Sequence, residues 1–129
     1  MFKTTPYTPE FEGDLKHFKK RYQSLDVDLE VLTRVLYVWL HIQGKPGQSC
    51  GNRYVVMSGY CPSSGCCLYK IRHMACTAIP GKGSQTGLRV VCAYWSDGDT
   101  LEFIQLYFKA DSDLEDQERI KSYIGRARR

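Results

Sequence analysis

The stretch that decides the fold reads LRVVCAYW (88–95), SDGD (96–99) and TLEFIQLYFK (100–109). Apolar and β-branched side chains dominate its two long runs, which predicts strands over Leu88 to Trp95 and Leu101 to Lys109. The four residues between the runs all favour turns, so the strands should form an antiparallel hairpin. The sheet of this protein is therefore expected to be built around this hairpin.

The hairpin can pair in two registers. A two-residue turn sets Trp95 opposite Thr100 and leaves Arg89 on the apolar face. A three-residue loop, with Gly98 in the left-handed conformation, shifts the pairing by one and moves Arg89 to the face of Tyr107. A one-residue slip exchanges the two faces of a strand, so burial should select the register with the cleaner apolar face. We expect the second register, whose core face carries Leu88, Val90, Cys92, Tyr94, Ile104, Leu106 and Phe108.

Two amphipathic helices precede the sheet and should form a helical hairpin over about residues 8–42. Thr8 is a good N-cap, and Pro9 fits the first helical position. The second helix begins near Leu25, and apolar residues recur along it at spacings of three and four up to about Ile42. Three valines beside this stripe make the apolar side of the helix wider, so we expect the second helix to bury more than one face. These valines are Val31, Val35 and Val38.

The remaining elements follow from local patterns. A short strand is predicted near residues 54–57 and another over Cys67 to Met74. A capping box at Ser112 to Glu115 opens a last helix, at about 113–124. Consecutive strands without intervening helices indicate a mostly antiparallel sheet. The predicted fold is α+β, a single domain (1–129) in which the helical hairpin packs on a twisted three- to four-stranded sheet at about 53–109.

Charge and hydropathy narrow the functional classes. The chain has a formal net charge of +4, a mild basic excess that suits a polyanionic partner. No apolar run approaches the ~20 residues that span a bilayer, and the first residues carry no apolar segment typical of a secretory signal. We therefore expect a cytoplasmic protein that does not bind membranes.

The six cysteines allow three interpretations. A cytosolic chain keeps its thiols reduced, which favours buried thiols. A zinc site needs paired cysteines or histidines at short spacing, which this chain lacks. A disulfide is the remaining alternative. The cysteines are Cys50, Cys61, Cys66, Cys67, Cys76 and Cys92.

Basic side chains should gather on one face of the sheet. Lys70 and Arg72 are two residues apart and share a face of their strand. In the expected register they join Arg89, Tyr107 and Lys109 on the face away from the helices. Clustered like charges cost energy that folding does not offset, whereas a phosphodiester would stabilise them. The alternative is that these residues are ordinary solvent-facing side chains of a sheet that is covered on one face only.

The chain, above all its C-terminal half, resembles the RelE/ParE toxins of bacterial toxin–antitoxin modules. The resemblance is carried by the helical segment 25–30 and by segments 69–72, 83–84, 87–94 and 103–111 in this order, and it covers roughly residues 10–120. It implies two N-terminal helices packed on a twisted antiparallel sheet. It also implies an mRNA interferase that cuts on the ribosome without a metal or other cofactor, and a cognate antitoxin as partner.

The resemblance also implies roles for the basic residues. Arg89 would stabilise the phosphate during attack by the adjacent 2′-hydroxyl, and Lys70 and Arg72 would hold or polarise it. Tyr107 could act as a base only if neighbouring cations lowered its pKa. Lys109 would be the acid or a further phosphate contact.

Two other functions stay open. One is a non-catalytic member of the same fold, either a gyrase poison or a protein-binding module. The other is a cysteine-based metal or redox protein. Basic residues on the face of the sheet favour the nuclease over the non-catalytic member, and zinc analysis of the purified protein would decide the cysteine-based alternative.

Overall fold

The computed structural model describes residues 1–43, 48–60 and 65–127. Its four strands form one antiparallel sheet in chain order. This confirms the α+β class, and the short first strand of the sheet is present. The elements are α1 (Pro9–Lys19), α2 (Leu25–Tyr37) with a π-helical turn (Val38–Ile42), β1 (Tyr54–Val56), β2 (Cys66–Ile71), β3 (Leu88–Trp95), β4 (Thr100–Phe108) and α3 (Gln117–Ala127).

The N-terminal helices pack on one face of the sheet. The Phe11 N–H donates to the Thr8 hydroxyl at 3.1 Å, and Pro9 follows at the start of α1, as expected. Phe11 and Leu29 are almost completely buried against the sheet. None of the helices in the described ranges is both long and apolar enough to cross a membrane.

The second helix buries one face, not more than one. Val31, Val35 and Val38 are 47%, 43% and 43% exposed, so the expectation that they thicken the buried stripe is wrong. The core side of α2 is filled by the Leu29 and Leu36 side chains. Because no described element packs against the flank that carries the valines, their apolar surface faces outward.

The turn between β3 and β4 differs from the expected three-residue loop. Trp95 lies opposite Thr100, as a two-residue turn would set it. The left-handed residue is Asp99, with φ 48°, and not Gly98. The Asp99 carboxylate accepts a hydrogen bond from the Tyr94 hydroxyl at 2.9 Å and lies 2.7 Å from His41 Nε2. These contacts hold the turn against the end of α2.

A β-bulge in β4 then changes the register. The pairing shifts by one between Val91 and Cys92, so that Arg89 lies opposite Tyr107. The expected face of Arg89 is therefore confirmed, but the bulge causes it and the turn does not. Ile104 is the extra residue, and it packs with Val91 on the face away from α1 and α2. Its predicted place on the core face is wrong.

The last helix begins later than predicted and covers the second face of the sheet. Asp116 caps it, since its Oδ1 accepts the Arg119 N–H at 3.1 Å. Ser112 instead donates to the Leu114 carbonyl and caps nothing. The apolar side of α3 packs on the sheet between β3 and β4, so the sheet has helices on both faces. The packed residues include Val91, Ala93, Ile104, Ile120, Tyr123 and Ile124.

Candidate functional site

Four of the five predicted site residues gather at one place on the face that α3 covers. Arg89 and Tyr107 are direct cross-strand partners on β3 and β4. Lys70 pairs with Val91 across β2 and β3, which sets it on the same face. Arg72 follows β2, two residues after Lys70, and its charge lowers the pKa of Tyr107. We call Lys70, Arg72, Arg89 and Tyr107 the basic cluster.

The basic cluster is covered, contrary to the expectation of an open face. Arg89 is 8% exposed and Tyr107 is 5% exposed. The cover consists of α3 and the segment 111–116 that leads into it. A sheet with one exposed apolar face is unstable in water, so the amphipathic α3 closes it. Sequence patterns identified α3 as a helix but did not reveal on which face it would lie.

The segment leading into α3 brings a carboxylate to the cluster. Glu115 Oε2 lies 2.9 Å from Lys70 Nζ, with side-chain exposures of 9% and 18%. The contact is an ion pair rather than a well-aligned hydrogen bond. Sequence reasoning missed this role, because it assigned Glu115 to a capping box. The signal that could have found it is the acidic run 111–116, directly after a strand that carries the basic face.

The ionisation of Tyr107 decides which chemistry it can perform. Burial is the largest effect on its pKa and raises it, and the nearby charge of Glu115 raises it further. Arg89 and Arg72 lower it by less, so the pKa of Tyr107 is raised to about 12. The condition for a tyrosine base, a lowered pKa, is not met. The neutral phenol can instead donate a hydrogen bond or a proton.

Two donors of the cluster lack acceptors. Arg89 Nη1 and the Tyr107 hydroxyl are buried, and neither has a hydrogen-bond partner among the described residues. Burying a donor without an acceptor costs about 1–3 kcal/mol. An anion with several acceptor oxygens, such as a phosphate, would satisfy both groups and is the chemistry to which this pair is suited.

Lys109 stands apart from the other predicted site residues. It follows β4, its side chain is exposed, and its backbone N–H donates to the Gly87 carbonyl at 2.9 Å. Among the described residues, none forms an ion pair with it. The structure therefore gathers the basic cluster but leaves Lys109 at the end of the sheet.

Among the described residues, the cysteines form no site comparable to the basic cluster. Cys66, Cys76 and Cys92 are buried, and burial raises the pKa of the Cys92 thiol to about 12, which makes it unreactive. Cys61 lies outside the described residues. Within the described ranges, no three His, Cys, Asp or Glu side chains are grouped so that they could hold a metal ion.

Comparison with known proteins adds no relative. No family model, no curated protein and no solved structure matches this chain. The functional argument therefore depends on the residues and on their geometry.

Proposed function

We propose that this chain is the toxin of a toxin–antitoxin system and a metal-independent endoribonuclease that cuts mRNA on the ribosome in the cytoplasm. The observation that carries the proposal is the cross-strand pair of Arg89 and Tyr107, whose buried donors lack acceptors. Lys70 on the same face and Arg72 after β2 add two cations. A phosphodiester supplies the negative charge and the acceptor oxygens that this group requires.

The proposed reaction assigns one role to each group. The 2′-hydroxyl of a nucleotide attacks the adjacent phosphorus, and its proton passes to the Glu115 carboxylate. Arg89 and Lys70 stabilise the negative charge on the pentavalent phosphate. The bond to the 5′-oxygen breaks, and this oxygen takes a proton from the Tyr107 phenol. The products are a 2′,3′-cyclic phosphate and a free 5′-hydroxyl.

The proposal requires a movement of the segment 111–116. Arg89 and Tyr107 are too deeply buried for RNA to reach them while this segment lies in place. The movement uncovers the phosphate site while Glu115 stays beside it: a phosphate that pairs with Lys70 replaces Glu115 Oε2, and this oxygen then accepts the proton of the 2′-hydroxyl. Contact with the ribosome and its mRNA is the proposed cause of the movement.

The second candidate is a non-catalytic member of the same fold, a gyrase poison or a protein-binding module. The burial of Arg89 favours it, because buried charges often have a purely structural role. In that case the Lys70–Glu115 pair only holds α3 against the sheet.

Substitution of Arg89 separates the two candidates. We would induce the chain in bacteria, record growth and map 5′-hydroxyl mRNA ends by primer extension. Arg89→Ala and Arg89→Lys should abolish cleavage and growth arrest, with folding checked by circular dichroism. Lys121→Ala, which changes an exposed cation of α3, is the matched control and should act as wild type.

Three outcomes count against the nuclease. Arg89→Ala that still cuts RNA would contradict the assigned role of the cluster. Growth arrest by the wild type without RNA cleavage would favour the non-catalytic candidate. Loss of activity in Lys121→Ala as well would show that the cluster is not specifically required.

A further inference from the structure

A continuous apolar stripe lies on the outer flank of α2 and its π-helical turn. Its residues follow one another at spacings of four, four, three and four, which places them on one side of the helix. Five of the seven large hydrophobic side chains that are exposed in the described chain belong to it. They are Val27 (60% exposed), Val31 (47%), Val35 (43%), Val38 (43%) and Ile42 (70%).

Local helix formation does not explain the stripe. Valine and isoleucine are poorer helix formers than leucine, alanine or the long polar residues, because a helix restricts their β-branched side chains. Single exposed apolar residues are normal, but a contiguous patch on a soluble domain marks an interaction site. The stripe therefore indicates a surface that another molecule covers.

A groove borders the stripe on the side of the sheet. It has a volume of about 390 Å³ and runs between α2 and Tyr54 of the edge strand β1. Val35 and Val38 line one wall, and Trp39 lies beside them. An apolar ridge beside an apolar groove is the shape that accepts a helix, whose side chains at i, i+3, i+4 and i+7 fill such a groove.

Two arginines carry the charge of the groove among the described residues that line it. Arg34 on α2 and Arg53 just before β1 both line it, and both are exposed. Neither forms an ion pair with another described residue. No acidic residue is among the described residues that line the groove. The complementary ligand therefore carries acidic side chains along the edge of its apolar face.

The same charges argue against a second copy of this chain. The stripe is nearly symmetric about its centre, at Arg34 and Val35. A two-fold axis through that centre would bring the two Arg34 side chains together, and like charges in direct contact oppose association.

We propose that the stripe and its groove bind an acidic amphipathic helix of another protein. Its apolar face packs on Val31, Val35 and Val38, and its carboxylates pair with Arg34 and Arg53. This inference does not depend on the proposed nuclease, because none of these residues belongs to the basic cluster.

The probe is a pair of labelled synthetic helical peptides of about 20 residues, long enough to form a helix in water. Both peptides carry leucines at i, i+3, i+4 and i+7. They differ in the residues along the edges of this apolar face, which are glutamates in one peptide and lysines in the other. Fluorescence anisotropy should detect binding of the glutamate peptide at least about tenfold tighter than the lysine peptide, a difference of about 1.4 kcal/mol.

The variants assign the binding to the stripe. The double variant Val31→Gln with Val35→Gln removes apolar surface without changing charge. It should lower the affinity for the glutamate peptide at least about tenfold, or about 1.4 kcal/mol. Leu114→Gln changes another exposed apolar residue away from the stripe, so this matched control should bind the glutamate peptide as wild type does. Arg34→Glu with Arg53→Glu should reverse the preference and favour the lysine peptide. RNA cleavage by the two-valine variant should equal that of wild type, which separates this test from the nuclease.

Three results would overturn the proposal. The first is equal binding of the two peptides, or none at all. The second is binding that the valine substitutions leave unchanged in variants that melt like wild type. The third is a dimer of the free chain, seen by light scattering and abolished by the same substitutions, since a second copy would then occupy the surface.

Discussion

The Asp14 carboxylate of α1 and the Arg119 guanidinium of α3 meet at the bulge of β4, in an ion pair about one-fifth exposed. Asp14 Oδ2 also accepts the Leu106 N–H at 3.0 Å, and Arg119 Nη1 donates to the Ile104 carbonyl at 3.1 Å. A bulge removes ladder partners from the strand, and buried backbone groups need replacements. The pair supplies them and ties the helices on both faces to the same point of the sheet.

Breaking this pair should destabilise the fold. Asp14→Ala removes the carboxylate that pairs with Arg119 and that accepts the Leu106 N–H. We expect a loss of about 2 kcal/mol in the free energy of unfolding, less than for a fully buried pair. Urea denaturation measures it. Arg119→Ala should cost a similar amount, and the double variant should cost less than the sum. A loss no larger than that of Lys121→Ala, whose ion pair is exposed, would contradict the bridging role.

The hydroxyl of Tyr107 should matter for activity and not for stability. It is buried without a hydrogen-bond partner among the described residues, so Tyr107→Phe removes an unsatisfied group. We expect an unchanged or slightly higher melting temperature. RNA cleavage should fall about 100-fold if the phenol protonates the 5′-oxygen. Full activity in this variant would exclude Tyr107 as the acid.

Tyr123 provides the contrasting case. Its hydroxyl accepts a hydrogen bond from Trp95 Nε1 at 2.8 Å and donates one to Glu102 at 2.6 Å. Tyr123→Phe should therefore cost about 1–2 kcal/mol of stability, unlike the same change at Tyr107. Tryptophan fluorescence should shift to the red as α3 loosens over Trp95. Equal melting temperatures for the two phenylalanine variants would show that this hydrogen-bonded chain does not hold α3.

Asp28 should make the fold sensitive to acid. Burial by itself raises the pKa of this carboxyl, but hydrogen bonds from Ser24 and Thr77 outweigh it and lower the pKa below its usual 3.8. A lowered pKa in the folded state contributes stability that is present above the unfolded value and is lost as the pH falls through the folded one. Melting temperatures should thus decrease below about pH 4. Asp28→Asn should have a lower melting temperature than wild type at neutral pH, and its melting temperature should fall less on acidification. An equal fall in both proteins would rule out the Asp28 carboxyl as the cause.

Much of the fold was predictable because its signals are local. The Thr8 cap, both strands of the central hairpin and the sheet order depend on residues close together in sequence. The face of Arg89 was also predicted correctly, although for the wrong reason. Burying apolar side chains favours the register in which Arg89 lies on the less apolar face of the strand. In the structure a bulge at Ile104 produces this register, and the turn does not.

The amino-acid sequence by itself determined the elements, their order and the residues of the basic cluster. Only the tertiary structure decided that α3 covers this cluster, that Glu115 pairs with Lys70, and that the valines of α2 face outward. The physical reason is that periodicity specifies which side chains share a face of an element. What packs on that face depends on segments distant in sequence, whose positions no local pattern encodes.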